Sequence, residues 1–451
     1  MSRKRPQPSD VFTPRSPEVN RDMYVSRNDL ERKLRRAVNG TQHLIVFGDS
    51  GSGKTWLYKE YFRKEDIPYV TVDLSVALTE GLSAALARAL PASEWRAIRR
   101  TISGATDANF YVVKAGGEVE VEYEKTEQSP LDAILSHLGE NRARKRFIVF
   151  DNFEQVSTSP GLLREIASLI IRLDSDNFAR HGVRFLFVGV VADMKELIAH
   201  YDQAGTVANR IVEIPEVERL TPDEAFALVQ RGLFEKLEIE TEPERERLIE
   251  RILFLSDRNA QQLHELCYEI ACEAEENKWK LTTEGLARAE NDWVETSLSI
   301  YRAQIEARMN KKETKIQRRN QVLFCIGAAG GNRIKASEID AMVRELFPDR
   351  AGVDQLGVDQ ILAGLADGKN PILIRNPNEP TYRLAHPKLR LAIRVRLEQF
   401  APSPKKDALD VEADTGFSFH NFIRSVIDRD IQKNEVGKEQ INFPRRDTSK
   451  G

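Results

Sequence analysis

Residues 48–55 read GDSGSGKT, and this spacing of glycines before a lysine and a threonine suits phosphate binding. Gly48, Gly51 and Gly53 let the backbone curl. The N–H groups of the loop, those of Asp49, Ser50 and Ser52 among them, then converge on phosphate oxygens. Lys54 is placed to reach the β- and γ-phosphates, and Thr55 offers a hydroxyl to Mg2+. A second constellation lies where the apolar run FIVF ends at Asp151. A carboxylate at the carboxyl end of a neighbouring strand can hold the Mg2+ shell, which makes Asp151 the second expected metal ligand. The next residue is Asn152, and Glu154 lies two positions further on. Glu154 is the candidate base for activating water, with Asn152 able to orient that water; the competing reading makes Glu154 a helix cap. The chemistry expected of the whole set is hydrolysis of ATP to ADP and phosphate.

Such groups act only if strands and helices hold them. HLIVF (residues 43–47) is a short apolar run ending at the first glycine of the loop, and it reads as a buried parallel strand. Helices are expected at 28–38, 54–63, 78–90 and 162–173, and strands at 68–73, 146–151, 183–190 and 211–214. That alternation means an α/β fold with a parallel sheet covered on both faces. An insertion at about 105–126, NFYVVK and EVEVEYE around a Gly-rich turn, reads as a hairpin with an acidic second strand. Its acids suit a basic protein surface.

Composition sets outer limits. The chain has 451 residues, 41% hydrophobic and 30% charged, with a net charge of −3. The charge excludes a globally basic nucleic-acid binder. The three cysteines make no disulfide framework and no zinc pattern. No run of 18 apolar residues and no signal-peptide core occurs, so a cytoplasmic protein without membrane contact is expected. Residues 1–22, rich in Pro, Arg and Ser, are expected to be flexible. The ATPase core is expected at 23–219 and a helical lid at 220–310. Three helices and a hairpin at 311–400 form a winged-helix pattern, followed by a linker and amphipathic tail at 401–451.

Several segments resemble AAA+ proteins of the origin-recognition and STAND types, the latter being signal-transduction ATPases with numerous domains. VSRNDLERKL (25–34) looks like the leading segment that lies over adenine in those families, with Ser26 in place of their glycine. The resemblance makes Val25 and Arg27 nucleotide-binding residues. FIVFDNFEQV (147–156) resembles the STAND form of the acidic motif. EIPEVERLTPDEAFALV (213–229) resembles the turn into the lid. Arg210, just before the fifth strand, stands where AAA+ relatives place an arginine finger; a surface arginine is the alternative. Asp193 is a weak substitute for the relatives' sensor asparagine. Ala260 or Gln261 falls where they carry a second-sensor arginine, with Arg258 nearby but out of register. These departures imply slow turnover and a nucleotide-gated switch. His386 is the one match to a winged-helix histidine that contacts bound ADP in STAND proteins, a structural capping role being the alternative. The resemblance implies a homo-oligomer and a separate effector protein, in a setting such as bacterial anti-phage defence. The competing implication is a DNA-handling loader or transposition-type regulator assembling on duplex DNA.

The expected third helix of the winged pattern carries Asp354, Asp359 and Asp367, which would face phosphates unfavourably. Basic residues gather instead at Lys311, Lys312, Lys315, Arg318 and Arg319, and at Lys388, Arg390, Arg394 and Arg396. Those could hold a phosphate backbone without sequence preference, or form a solvated face. In the tail, Phe419, Phe422, Ile423, Val426, Ile427 and Ile431 fall on one helical stripe suited to a groove in this chain or in a partner.

Overall fold

A computed structural model of the chain describes residues 5–90, 129–139, 145–173, 179–190, 194–200, 206–310, 317–329, 333–347, 355–376 and 379–398. The expected hairpin at 105–126, Asp193, Asp354, Lys311, Lys312, Lys315 and the whole tail lie outside these residues.

Five strands build one parallel sheet: β1 (His43–Phe47), β2 (Tyr69–Asp73), β3 (Arg146–Asp151), β4 (Val183–Gly189) and β5 (Ile211–Glu213), in the order β2-β3-β4-β1-β5. Alternate side chains of each strand enter opposite cores, as the two-residue period requires. Ile45, Ile148, Phe150, Phe185 and Phe187 join one buried cluster. Leu44, Val46, Phe147, Val149, Leu186 and Val188 join the other. Both faces are therefore covered at the centre of the sheet, which is why LIVF in β1, FIVF in β3 and FLFV in β4 read as unbroken apolar runs. This is the α/β architecture of a P-loop NTPase.

The helix Asn28–Asn39 is seated by Arg184 of β4. The Arg184 guanidinium donates to the carbonyls of Val38 and Gly40 at 2.6 and 2.8 Å and lies over the Phe147 ring. The last carbonyls of a helix lack intrahelical donors, and a buried cation satisfies them. One expectation needs correcting. The helix expected at 78–90 is two helices, Leu74–Glu80 and Leu82–Arg88, parted at Gly81 with φ +85°.

The chain divides into two compact units, Pro17–Glu218 and a second made of Met1–Ser16 with Arg219–Gly451. In the second, Thr221 and Glu224 form a capping box on the helix Pro222–Val229, which continues as a π-helix over Gln230–Lys236. The helices Arg245–Leu255, Ala260–Glu276, Thr283–Ser297 and Ser299–Arg308 follow. Two short strands also occur here, Glu240–Thr241 pairing in parallel with Lys280–Leu281. Next come helices Arg318–Ala328, Ala336–Leu346 and Val358–Ala366, an antiparallel pair Leu373–Arg375 with Tyr382–Leu384, and the helix Pro387–Glu398. Ile334 bridges Tyr382 and extends that small sheet. The order is the one expected at 311–400.

Buried ion pairs join the elements expected as the lid to those expected as the winged pattern. Lys388 meets Glu265 at 3.1 Å, while Arg394, Arg390 and Arg219 meet Asp257 at 2.9, 3.3 and 2.7 Å. The side chains of Lys388, Arg390 and Arg394 keep only 7%, 2% and 2% of their exposure, so they cannot grip a phosphate backbone. Every residue from Lys388 to Arg394 is buried, so the helix has no solvated face there, and its cations turn to acids of the lid. Arg396 is partly exposed and pairs with Glu306 at 3.4 Å.

The described part of the amino-terminal segment packs into this unit. Pro8–Val11 form one helical turn, and Val11 and Phe12 are 3% and 1% exposed. The Thr13 N–H donates to His264 Nδ1 at 3.2 Å, the Phe12 ring meets His264 edge-on, and Arg15 pairs with Glu265 at 3.4 Å. Burial pushes the His264 pKa down to about 4, so at neutral pH its ring is uncharged and able to accept that bond.

Candidate nucleotide site

β1 ends at Phe47, and the loop that follows is shaped by its glycines. A side chain at Gly48 would place its Cβ 2.4 Å from the carbonyl oxygen of Val217, so only glycine fits beneath the extended segment that follows β5. Gly51 and Gly53 take φ of +77° and +96°, the left-handed region that glycine occupies without strain. Gly53 is the N-cap of the helix Lys54–Lys64, so four backbone N–H groups of that helix start point into the loop. Lys54 Nζ donates to the carbonyls of Gly48 and Asp49 at 2.9 and 2.8 Å, which folds the side chain back under the loop. Burial lowers the Lys54 pKa, and the carboxylates of Glu154, Asp49 and Asp151 work against that shift. The ammonium therefore stands in an acidic frame that favours its charged form.

The rest of the acidic frame comes from the end of β3 and the turn after it. Asp151 ends β3 in register with Asp73, the last residue of β2. Burial raises the Asp151 pKa, the Asn152 N–H at 2.9 Å opposes it, and the Glu154 charge raises it further. Lys54 lowers it. Mutual influence of this kind means that Lys54, Asp151 and Glu154 share one electrostatic site. The chain reverses at Asn152, whose φ of +61° is left-handed. Asparagine tolerates that region better than other non-glycine residues, which accounts for an amide here in place of a glutamate. The following turn, Phe153–Gln155, aims Glu154 at the end of β4, where Oε2 accepts from the Val190 N–H at 3.2 Å. Glu154 is thus tied to a strand end and does not cap a helix. Gly189 makes room for it, since a Cβ there would come 3.3 Å from Glu154 Oε2 and 2.9 Å from Phe153 Cβ.

Arg27 is buried, and its guanidinium donates to the Ser52 carbonyl at 3.1 Å and to the Glu218 carbonyl at 2.8 Å. It therefore braces the loop from behind. Val25, three residues ahead of the helix Asn28–Asn39, is half-buried. Thr55 is the second residue of the loop's helix and is half-buried.

Arg210 is placed elsewhere. Ile211 pairs with His43, the first residue of β1, whereas the loop leaves the last residue of β1. Five residues at about 3.3 Å each put Arg210 roughly 16 Å from its own loop along the sheet. Its guanidinium donates to the Thr206 carbonyl at 2.9 Å. In the second unit, His386 Nδ1 accepts from the Lys388 N–H at 3.1 Å and its ring stacks on Tyr301, so it caps the last helix. Asp257 and Arg258 both take left-handed φ of +53° ahead of the Asn259 cap, which is why the lid turn reads irregularly in sequence.

Sequence reasoning passed over two residues here, Asp73 and Gly189. Asp73 Oδ1 accepts from the Asn152 side-chain amide and from the Ser75 N–H, both at 2.9 Å. The only signal for it was an aspartate closing an apolar strand.

Among the described residues no cluster of three or more His, Cys, Asp or Glu could hold a metal by itself. The donors that fit Mg2+ are the Thr55 hydroxyl and the Asp151 carboxylate, hard oxygens of the kind that hold this ion together with substrate phosphates.

Residues 36–198 match the family model of the AAA domain. No curated protein matches the chain in sequence. Among solved structures, the Walker-type ATPase PABY2304 of Pyrococcus abyssi is similar at 16% identity, over 83% of this chain and 97% of its own, with a TM-score of 0.46. Cdc6p from Pyrobaculum aerophilum is similar at 14% identity, over 87% and 98%, with a TM-score of 0.43. The Aeropyrum pernix ORC1 protein, solved in complex with DNA, is similar at 15% identity, over 87% and 96%, with a TM-score of 0.41. The AAA-domain match spans the loop and the acidic strand described above, and both lie on a P-loop NTPase sheet.

Proposed function

We propose that the chain is an AAA+/STAND-like switch that binds ATP with Mg2+ and hydrolyses it slowly, its nucleotide state controlling self-assembly and a separate effector protein. One observation carries the reading. A glycine-shaped loop holds Lys54 in the same electrostatic site as Asp151 and Glu154. Backbone N–H groups from Gly48 to Thr55 bind the phosphates, and Lys54 neutralises their charge. Thr55 and Asp151 hold Mg2+, which when bound offsets charge building on the phosphates. Glu154, anchored by the Val190 N–H, takes the proton of the attacking water. Arg210 is too far from its own loop to act there. It serves a neighbour's site, which makes turnover depend on a homo-oligomer. The elements at 318–398 are read as a winged helix locked to the lid, moving as one piece with it. Anti-phage defence is the setting that the family resemblance supports.

The competing reading is an ATPase that assembles on duplex DNA. Burial of Lys388, Arg390 and Arg394 counts against a winged-helix grip. Exposed Arg32, Lys33, Arg35 and Arg36 on the helix Asn28–Asn39 leave non-specific DNA contact open to measurement. The test compares ATP binding and phosphate release for the parent and for Lys54→Ala and Glu154→Gln, with and without duplex DNA. Lys54→Ala should lose binding, and Glu154→Gln should bind ATP and retain it. Tight ATP binding by Lys54→Ala would sink the assignment, and strong DNA stimulation of the parent would promote the competing reading.

A further inference from the structure

Asp73 has no part in the scheme above, yet it touches a residue that does. We infer that Asp73 is a positioning residue for hydrolysis: its carboxylate fixes which end of the Asn152 side-chain amide faces the attacking water. The inference rests on the hydrolytic reading of this site.

The two acids that end β2 and β3, Asp73 and Asp151, are paired in register, so β2 brings a carboxylate alongside the metal-ligand strand. Asp73 Oδ1 takes two donors, the Ser75 N–H and the Asn152 Nδ2, both at 2.9 Å. An ionised carboxylate only accepts. An asparagine amide has one donating and one accepting end, and its orientation is settled by its partners. Facing Asp73, the amide must present nitrogen, which turns Oδ1 away from β2 as an acceptor. The left-handed backbone at residue 152 and the Asn152 N–H bond to Asp151 Oδ1 hold that amide at the end of β3. An acceptor there can take one hydrogen of a water whose other proton leaves to Glu154. A donor there would turn the water the wrong way. The site thus divides one acid's work in two. Asn152 orients without taking a proton, Glu154 takes it, and Asp73 keeps Asn152 in the productive sense.

The alternative is that Asp73 only caps the helix Leu74–Glu80 through Ser75. Asp73→Asn separates the two, because asparagine caps helices as well as aspartate does. An asparagine at 73 can bond Asn152 with the amide in either orientation. The fraction of productive orientation falls, and kcat should drop about tenfold while KM for ATP stays within about twofold. The exchanged pair, Asp73→Asn with Asn152→Asp, restores one acceptor-only partner, keeps Oδ atoms at 152 as acceptors, and should recover most of the lost rate. A trapping measurement needs no turnover. MgADP with aluminium fluoride, which mimics the state that includes the attacking water, should be held several-fold more weakly by Asp73→Asn. MgADP with beryllium fluoride, which mimics the ground state, should be held equally. If the parent neither hydrolyses ATP nor traps either complex, the hydrolytic reading fails, and this inference with it. If the parent traps both and Asp73→Asn matches it in rate and trapping, Asp73 is a helix cap and the inference alone is overturned.

Discussion

Replacing Asp257 with asparagine removes one negative charge from the centre of the lid while leaving the shape of the side chain. The position has φ +53°, a left-handed value that asparagine tolerates, so the backbone is not the variable under test. Burial acts to raise the Asp257 pKa, but Arg219, Arg394 and Arg390 overcome it and hold the carboxyl far below its ordinary range. In the variant these three guanidiniums, at 2.7, 2.9 and 3.3 Å from the carboxylate in the parent, lose their counter-charge. Arg390 and Arg394 are almost wholly buried and cannot recover hydration. Breaking a buried pair from one side costs about 3–5 kcal/mol. For a unit of this size, at about 2–4 °C per kcal/mol, the midpoint should fall by roughly 6–20 °C. Calorimetry on the full chain at pH 7 measures this. The pH dependence supplies an internal control. Because the folded pKa is depressed, the stabilisation by Asp257 is complete above the unfolded carboxylate value near 3.9 and is lost as pH falls through the lower folded value. The gap between parent and variant should therefore narrow below about pH 4. A variant melting within about 2 °C of the parent at pH 7, against the expectation from buried pairs, would refute the view that these charges hold lid and winged region together.

Gly48→Ala should abolish nucleotide binding with the fold retained, because the new Cβ would meet the Val217 carbonyl at 2.4 Å and push the loop off its strand; calorimetric titration with ATP checks it. Arg210→Ala should bind ATP like the parent yet lose turnover. Mixing it with Lys54→Ala should restore some phosphate release, and specific activity independent of protein concentration would refute the shared site. Deleting residues 1–16 should lower the thermal midpoint by several degrees, since Val11 and Phe12 leave the lid and about 1.5–3 kcal/mol is lost per buried side chain of this size. An unchanged midpoint would show that the segment contributes nothing.

Local constraints were legible in the residues themselves. Gly48, Gly51 and Gly53 answer to backbone geometry within eight positions, and Asp151 to a strand that ends beside them. The α/β pattern was legible for the same reason. What escaped was set by distant partners. The insertion of β4 between β1 and β3 depends on pairing that no local pattern encodes. Arg390 and Arg394 looked like a basic face because Asp257 lies more than a hundred residues earlier, and the ion pairs appear only in three dimensions. Val11 and Phe12 were hidden in a stretch whose Pro, Arg and Ser content suggests disorder. Asp73 looked like the plain end of a strand, since its partner at Asn152 stands 79 positions away.

The anchoring of Thr13 to His264 also bears on the order in which the chain takes shape during synthesis. The two residues are 251 positions apart, so Thr13 is made long before the partner that anchors it. At about 5–20 residues per second, some 12–50 s pass on the ribosome before His264 is even polymerised. Throughout that interval Val11 and Phe12 lack the lid surface that covers them, while the unit Pro17–Glu218 completes its sequence before His264 is made. The segment around Val11 and Phe12 thus acts as a late clasp, which ties completion of the second unit to emergence of the lid helix and leaves two apolar side chains uncovered until that helix arrives.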